Sequence, residues 1–323
     1  MPSQLDILTF HRIMPRGEKY FIPPMAMDVR TFTRLIERLV AADRVVDLQE
    51  GVKLLRSGEL MGRKVAITFD DGYLDNFVWA RDVLLRVGAP ATFFVPLTPI
   101  DNQDVYWWDH LYDMVSRDDQ SFFKWALSRN NPQALNKALE NAALSRSRSH
   151  GERCRVLVQA ANRLGEQDRK SFLGALVDEF GPCRAERLLM NWDELRQMQT
   201  EGFSIGSHSV SHIPLTDLEP QAARYEITAS ADLLKDRLGC RPAGFCYPRG
   251  AFRESHAEMV KDCGYDFAVT TCFGGNDGAC DPFVLKRRNM SDYQGVRAWF
   301  PVAMHLFELS GRLDGLLAAR RSA

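Results

Sequence analysis

The sequence has no CxxC pair and no tight cysteine cluster, which removes the spacings of thioredoxin-type redox motifs and of common zinc fingers. Its seven cysteines are scattered and odd in number, as expected of small buried side chains in a reducing compartment. No stretch approaches the ~18 consecutive apolar residues of a membrane span. The opening Met1-Pro2-Ser3-Gln4 lacks the basic region and long apolar run of a secretory signal, so the expected location is cytoplasmic. Neither sign of charge is in excess. Lys and Arg number 41 against 42 Asp and Glu, a net charge of −1, which leaves no global electrostatic case for nucleic acid or an anionic membrane.

What is present is ordinary globular composition arranged in a clear rhythm. At 323 residues and 45% hydrophobic, the chain can bury a substantial core as one large domain or two small ones. Leu5 to Phe10 reads as a short buried strand ending at His11-Arg12. Asp28 is placed to cap a helix through about Ala42, with Phe32, Leu35, Ile36 and Leu39 on one face. Val65 to Phe69 is a strand, a helix follows over about Leu74 to Val87, Gly88 closes it, and Ala91 to Val95 is the next strand. That unit has the size of a parallel crossover.

Between about Asp104 and Glu186 the pattern turns mainly helical, which marks an insertion between core strands. The rhythm then resumes. Extended segments precede His208 and cover Gly244 to Tyr247, Phe267 to Thr271 and Phe283 to Leu285, with helices over Leu218 to Leu238 and Phe252 to Cys263. Strands separated by helices indicate an α/β sheet, open or closed. Functional residues in such folds gather beyond the carboxyl ends of the strands.

In "AITFDDGYLDN" the apolar run of one strand ends on Asp70 and Asp71. Adjacent carboxylates repel, and burial raises that cost. One of them can cap the following helix with Gly72 in the turn, but a cap needs only one carboxylate. In "SIGSHSVSHIPL", His208 and His212 are four apart, and on a helical turn they would share a face. An Asp with two His and open positions for water is a competent divalent site. A divalent ion lowers the pKa of water. Asp71 would then hold the ion, Asp70 would take the proton as water attacks a carbonyl, and a protonated imidazole opposite would donate to a leaving amine.

"TFDDGYLDN", "HSVSH", "YPRG" and "AVTT" occur in this order and resemble the motifs of the NodB-type polysaccharide deacetylases, carbohydrate esterase family 4. The matching regions span nearly the whole chain outside the helical segment. The resemblance implies an α/β fold, a distorted (β/α)7 NodB-like barrel occupying 1–323 as one domain, with a mainly helical insertion at about 104–186. It implies removal of an N-acetyl or related acyl group from a sugar, with Asp70 as base and Asp71, His208 and His212 as ligands of one divalent ion. In this family the ion is usually Zn2+, with Co2+, Ni2+ or Mn2+ serving some members.

The stretch "ILTFHRI" resembles the N-terminal strand of a circularly permuted branch typified by the poly-N-acetylglucosamine deacetylases, which makes His11 the general acid. His305, in "VAMHLFELS", reads instead as the inside of an amphipathic helix. Many members place an arginine of the third motif against the base aspartate, whereas "RPAGFCYPRG" puts Cys246 at that position. The missing charge would come from Arg287 or Arg288 in "FVLKRRNM". Alternation on a strand sends these two to opposite faces, so only one should reach the site, and Arg287 aligns with a recurrent arginine of the permuted branch. Tyr247 would line the acyl pocket or supply a backbone donor.

Trp107 and Trp108 have two readings, stacking on sugar rings or packing within the inserted helices, and packing comes first. The implied partner is an acylated saccharide, and a cytoplasmic protein would meet it as a nucleotide sugar or lipid-linked glycan. Two rival readings are a hydrolase of a non-sugar amide or cyclic imide on the same scaffold and a catalytically inactive carbohydrate-binding or scaffold protein. The complete Asp70, Asp71, His208 and His212 set argues against inactivity.

Overall fold

Residue alternation sorts the strand carrying His11 between two environments. Ile7 joins Ala66, Phe94, Cys246, Val269 and Leu285 in one buried cluster, while Phe10 faces the other way and meets Phe32 at 5.2 Å, edge to face. The computed structural model describes residues 3–22, 25–144, 150–185, 187–292 and 301–310. Its elements begin with β1 (Gln4–Phe10), β2 (Arg12–Met14), β3 (Ala26–Asp28), α1 (Val29–Ala41), α2 (Leu48–Ser57) and β4 (Arg63–Phe69). A π-helical turn at Asn76–Ala80 leads into α3 (Arg81–Val87), then β5 (Thr92–Val95) and α4 (Leu97–Asn102). Five helices follow: α5 (Trp107–Arg117), α6 (Asp119–Leu127), α7 (Gln133–Leu144), α8 (His150–Asn162) and α9 (Glu166–Phe180). The chain continues through α10 (Trp192–Thr200), β6 (Ser204–Ser207), α11 (Pro220–Leu238), β7 (Gly244–Cys246), α12 (Glu254–Asp262), β8 (Phe267–Phe273), β9 (Leu285–Asn289) and α13 (Pro301–Glu308).

Among the described residues, seven parallel strands close a barrel in the order β1-β4-β5-β6-β7-β8-β9, and β9 returns to pair with β1. This is the distorted (β/α)7 architecture expected from the motifs. The β1–β4 register runs from Gln4 opposite Arg63 to Phe10 opposite Phe69, so His11 and Asp70 emerge together at the carboxyl end. Leu48, Val52 and Leu55 of α2 extend the interior cluster; each leucine or valine buried this way contributes roughly 1.5–3 kcal/mol. On the outside, Phe69 stacks on Phe93 at 4.6 Å and Phe32 packs edge-on against Phe69. Asp28 caps α1 through the Arg30 N–H, and Gly88 ends α3 with φ 65°, both as the residue types predict.

The described residues fall into two compact units. Those within 1–16, 25–104 and 188–323 form the barrel unit, and those within 17–24 and 105–187 form a helical unit. The helical unit therefore includes a short segment from near the N-terminus as well as the insertion. Its hub is Asp113, whose buried carboxylate accepts from Tyr20 (3.1 Å) and the Arg184 N–H (3.2 Å) and pairs with Lys19 (2.8 Å). Among the described residues no helix is long and apolar enough to cross a membrane.

Candidate active site

The motif that ends β4 turns sharply. Asp71 and Gly72 both take left-handed backbone angles, φ 72° and 69°. A Cβ at Gly72 would come within 2.9 Å of the Ile100 Cδ1 methyl and 3.3 Å of Val95 Cγ1, so the left-handed, crowded position favours glycine. Aspartate tolerates the left-handed region better than most residues. The turn is pinned from outside by Met190 N–H donating to Gly72 O (2.9 Å) and Leu188 O accepting from Leu74 N–H (2.8 Å). The result splits the two carboxylates, which are both buried, between different partners.

Asp70 faces the barrel interior. Arg287 grips it with two parallel hydrogen bonds, Nη1 to Oδ1 at 2.8 Å and Nη2 to Oδ2 at 2.7 Å. The guanidinium is itself fixed by Nε donating to Thr270 O at 2.7 Å. Burial would push the Asp70 carboxyl up, but the charge and hydrogen bonds of Arg287, with smaller contributions from His208 and His11, hold it below the ordinary carboxylate value. Arg288 points to the opposite face, where its Nε donates to Asp6 at 2.8 Å beside Arg63. Strand alternation thus gives the Asp70 contact to Arg287 alone of the two.

Asp71 faces the histidines. Its Oδ1 lies 3.5 Å from His208 Nε2 and 3.2 Å from His212 Nε2, and one ligand atom from each residue falls within 4.8 Å of the others. His208 Nδ1 is 2.8 Å from Cys246 O. A carbonyl can only accept, so Nδ1 carries a proton and Nε2 is the ring nitrogen turned toward Asp71. Burial works against ionising Asp71, yet the two histidines, reinforced by His11, keep its carboxyl well below its usual range.

The two histidines do not share a helical face. His208 follows the end of β6, and the loop to His212 contains two further left-handed residues, Ser209 (φ 68°) and His212 itself (φ 62°). Left-handed backbone at a non-glycine residue costs roughly 1–3 kcal/mol, so this loop needs support. Ser209 Oγ accepts from the His212 N–H (3.1 Å), and Ser207 Oγ accepts from the Ser209 N–H (3.2 Å). Glu226 of α11 accepts from the N–H groups of both Val210 and Ser211 at 2.8 Å.

His11 lies beside the carboxylates at the end of β1, where Phe10 O accepts from the Asp70 N–H at 2.9 Å. Its Nδ1 is buried and has no hydrogen-bond partner among the described residues. The backbone on either side is clamped by the same loop that carries Asp70 and Asp71. Asn76 Nδ2 donates to His11 O (3.0 Å), and the buried Asp75 accepts from Arg12 Nε and the Ile13 N–H, each at 2.8 Å. Arg12 also lies over the Tyr73 ring, 4.4 Å from its centroid.

Cys246 occupies the interior position beside Asp70, 3.1 Å from Arg287 Nη2 and 3.6 Å from Asp70 Oδ2. Burial pushes its thiol up, which disfavours a thiolate nucleophile. Tyr247 is engaged within the fold. Its hydroxyl donates to Phe283 O (3.0 Å) and its N–H to Val269 O (3.2 Å), and its ring packs with Phe245 and Phe252. Both of its donors therefore have partners already, which removes the physical basis for the backbone-donor role. Trp107 and Trp108 belong to the helical unit, where Trp108 is buried, stacks on Tyr106 at 4.6 Å and meets Trp107 edge-on. His305 is buried on α13, and burial lowers its pKa to about 4.

Glu226 and Asp75 carry supporting roles that the motifs did not single out. Glu226 lies in a long helix 14 residues past His212 and has no local signature. Asp75 is legible only as part of "YLDN".

Comparison with known proteins agrees with this geometry. Residues 172–268 match the polysaccharide deacetylase family. The Bacillus subtilis protein YxkH is 24% identical over 159 residues, 47% of this chain and 56% of that protein, so the match spans little more than half of the relative's length. The Streptococcus pyogenes deacetylase PplD, solved in complex with acetate, superposes with a TM-score of 0.60 at 16% identity, covering 94% of this chain and 99% of that one. IcaB from Ammonifex degensii superposes with a TM-score of 0.56 at 18% identity, covering 94% and 97%. At these identities the two structures establish the shared barrel. The chain is thus similar to polysaccharide deacetylases over residues 172–268, the stretch that carries His208 and His212, and shares its closed barrel with solved deacetylase structures.

Proposed function

We propose that this chain is a metal-dependent hydrolase that removes an N-acetyl or related N-acyl group from a saccharide. The observation that carries the reading is the division of labour between two adjacent buried carboxylates. Asp71 converges with His208 Nε2 and His212 Nε2, while Asp70 is held apart by Arg287. The donor set fits a divalent ion, since both imidazoles present Nε2 and Asp71 is held ionised. Two nitrogens and one carboxylate oxygen suit Zn2+ first, and Co2+, Ni2+ or Mn2+ as well. Bound there, the ion supplies Lewis-acid polarisation of an acyl carbonyl and acidifies water.

The chain's own residues supply the rest. Asp70, ionised and oriented by Arg287, takes the proton of the attacking water. His11 stands at the neighbouring strand end and, when protonated, donates to the leaving amine. Asn76 and Asp75 hold the backbone of its segment. The reading extends to the circularly permuted branch because the strand carrying His11 comes first in the chain and lies between β4 and β9 in the barrel. The substrate is an acylated saccharide, and a cytoplasmic setting would supply it as a nucleotide sugar or a lipid-linked glycan.

The test is elemental mass spectrometry of protein purified without chelator, paired with acetate release from N-acetylglucosamine oligomers. About one divalent ion per chain is expected, with loss of both ion and turnover in Asp71→Ala and His208→Ala. Asp70→Asn should keep the ion and lose turnover. A wild-type protein that takes up no ion when zinc or cobalt is supplied overturns the proposal.

A further inference from the structure

We propose that Glu226 is a positioning residue for the metal centre, holding the backbone between His208 and His212 in the one shape that brings both Nε2 atoms to Asp71. This rests on the metal reading above and adds a residue outside every motif that led to it. The N–H groups of Val210 and Ser211 are consecutive and converge on one carboxylate oxygen, making a small anion-accepting concavity of the kind that successive amides form. The chain fills it with its own carboxylate. Glu226 Oε2 accepts from both N–H groups at 2.8 Å, and Oε1 accepts from Ser211 Oγ at 2.6 Å. All three bonds are charge-assisted, and Glu226 is only 7% exposed.

The support is rigid. Ala223, Ile227 and Ala231 of α11 are buried in a core cluster with Leu215, Phe245 and Tyr247. One helical turn beyond Glu226, Ser230 Oγ meets Ser207 Oγ at 2.7 Å. Ser207 is the last residue of β6 and accepts from the Ser209 N–H. A single helix therefore grips the loop at its root through Ser230 and at its crown through Glu226. Neither contact touches an imidazole. Their effect on a bound ion is to fix where the two imidazoles stand, which is how supporting shells tune metal affinity.

The experiment is a cobalt titration followed by visible absorption, on full-length wild type and Glu226→Ala, Glu226→Gln and Glu226→Asp. Glu226→Ala should bind Co2+ about 10–100-fold more weakly, with a weakened and displaced d–d band. Glu226→Gln should stay near wild type in affinity and band shape. Its amide oxygen can accept both N–H groups while its NH2 donates to Ser211 Oγ. Wild-type affinity with an unchanged band in Glu226→Ala overturns the inference, as does equal loss in the Gln and Ala variants. If Glu226→Ala fails to fold, Glu226→Asp carries the test. One methylene shorter, it should bind cobalt with intermediate affinity, and wild-type behaviour there refutes the role. A wild-type protein that binds no cobalt defeats the metal reading itself and takes this inference with it. Binding in wild type that is undisturbed in the variants defeats the inference alone.

Discussion

Replacing Arg287 by Met removes the charge that faces Asp70 and keeps most of the stem's volume. Both partners are almost fully buried, with side-chain exposures of 2% and 4%. Breaking such a pair from one side costs about 3–5 kcal/mol, because the remaining charge is left in a desolvated place. The cost should depend on pH in a fixed direction. In the native protein Arg287 holds the Asp70 carboxyl below its ordinary value. That contribution is fully present above the unfolded carboxylate pKa of ~3.9 and disappears as pH falls through the folded value. In Arg287→Met the desolvation is opposed only by the smaller contributions of His208 and His11, so the Asp70 pKa rises and the site takes up a proton more readily than wild type. Urea unfolding at several pH values should show the largest deficit near neutrality and a shrinking one on acidification. Asp70→Asn in the same chain should recover much of the loss. On the proposed chemistry, the acid limb of kcat/KM should move to higher pH in Arg287→Met. A deficit under 1 kcal/mol at neutral pH, unchanged by acid, would refute the claim that Arg287 sets the state of Asp70.

Asp75→Ala leaves the buried Arg12 without its carboxylate and frees the Ile13 N–H, so the His11 segment should loosen at a cost of about 3–5 kcal/mol; turnover should fall far more than metal uptake, and full turnover would show that the clamp is irrelevant to His11. His305 has its pKa lowered by burial from 6.5 to about 4, so the unfolded chain binds a proton that the folded chain refuses between those values. Stability should drop by about 3 kcal/mol as pH falls from 6.5 to 4, and His305→Phe should remove that slope in pH-dependent unfolding curves.

The strand and helix order was readable because alternation and caps are local signals. Phe10 and Ile7 separate by parity, Asp28 caps α1, and Gly88 ends α3. The "DDG" turn was readable for the same reason. Two features were not. A spacing of four between His208 and His212 suggests a helix, but Ser209 and His212 adopt left-handed angles supported by local serine hydrogen bonds and by tertiary ones from a distant helix. The tertiary partner, Glu226, which holds the Val210 and Ser211 N–H groups between them, is distant in sequence and identical in appearance to any exposed helical glutamate until the helix docks. The helix after "YLDN" also opens with a π turn at Asn76–Ala80, next to the Asp75 and Asn76 side chains that reach back to the end of β1; no periodicity in the sequence marks it.

The pairing of β9 with β1 has a temporal meaning. Leu8 lies opposite Arg288, so the seam that brings Arg287 to Asp70 joins segments some 280 residues apart in the chain. Contacts of such long range form late. At ribosomal speeds of about 5–20 residues per second, the guanidinium emerges roughly 15–55 s after His11. For roughly the last 4–15 s of that interval, once His212 has been made, the nascent polypeptide holds its aspartates and both histidines without the strand that locks them. That end of the barrel is thus completed by β9, the last barrel strand in chain order among the described residues, and a product terminated before it would carry the motifs with an open, unpaired edge.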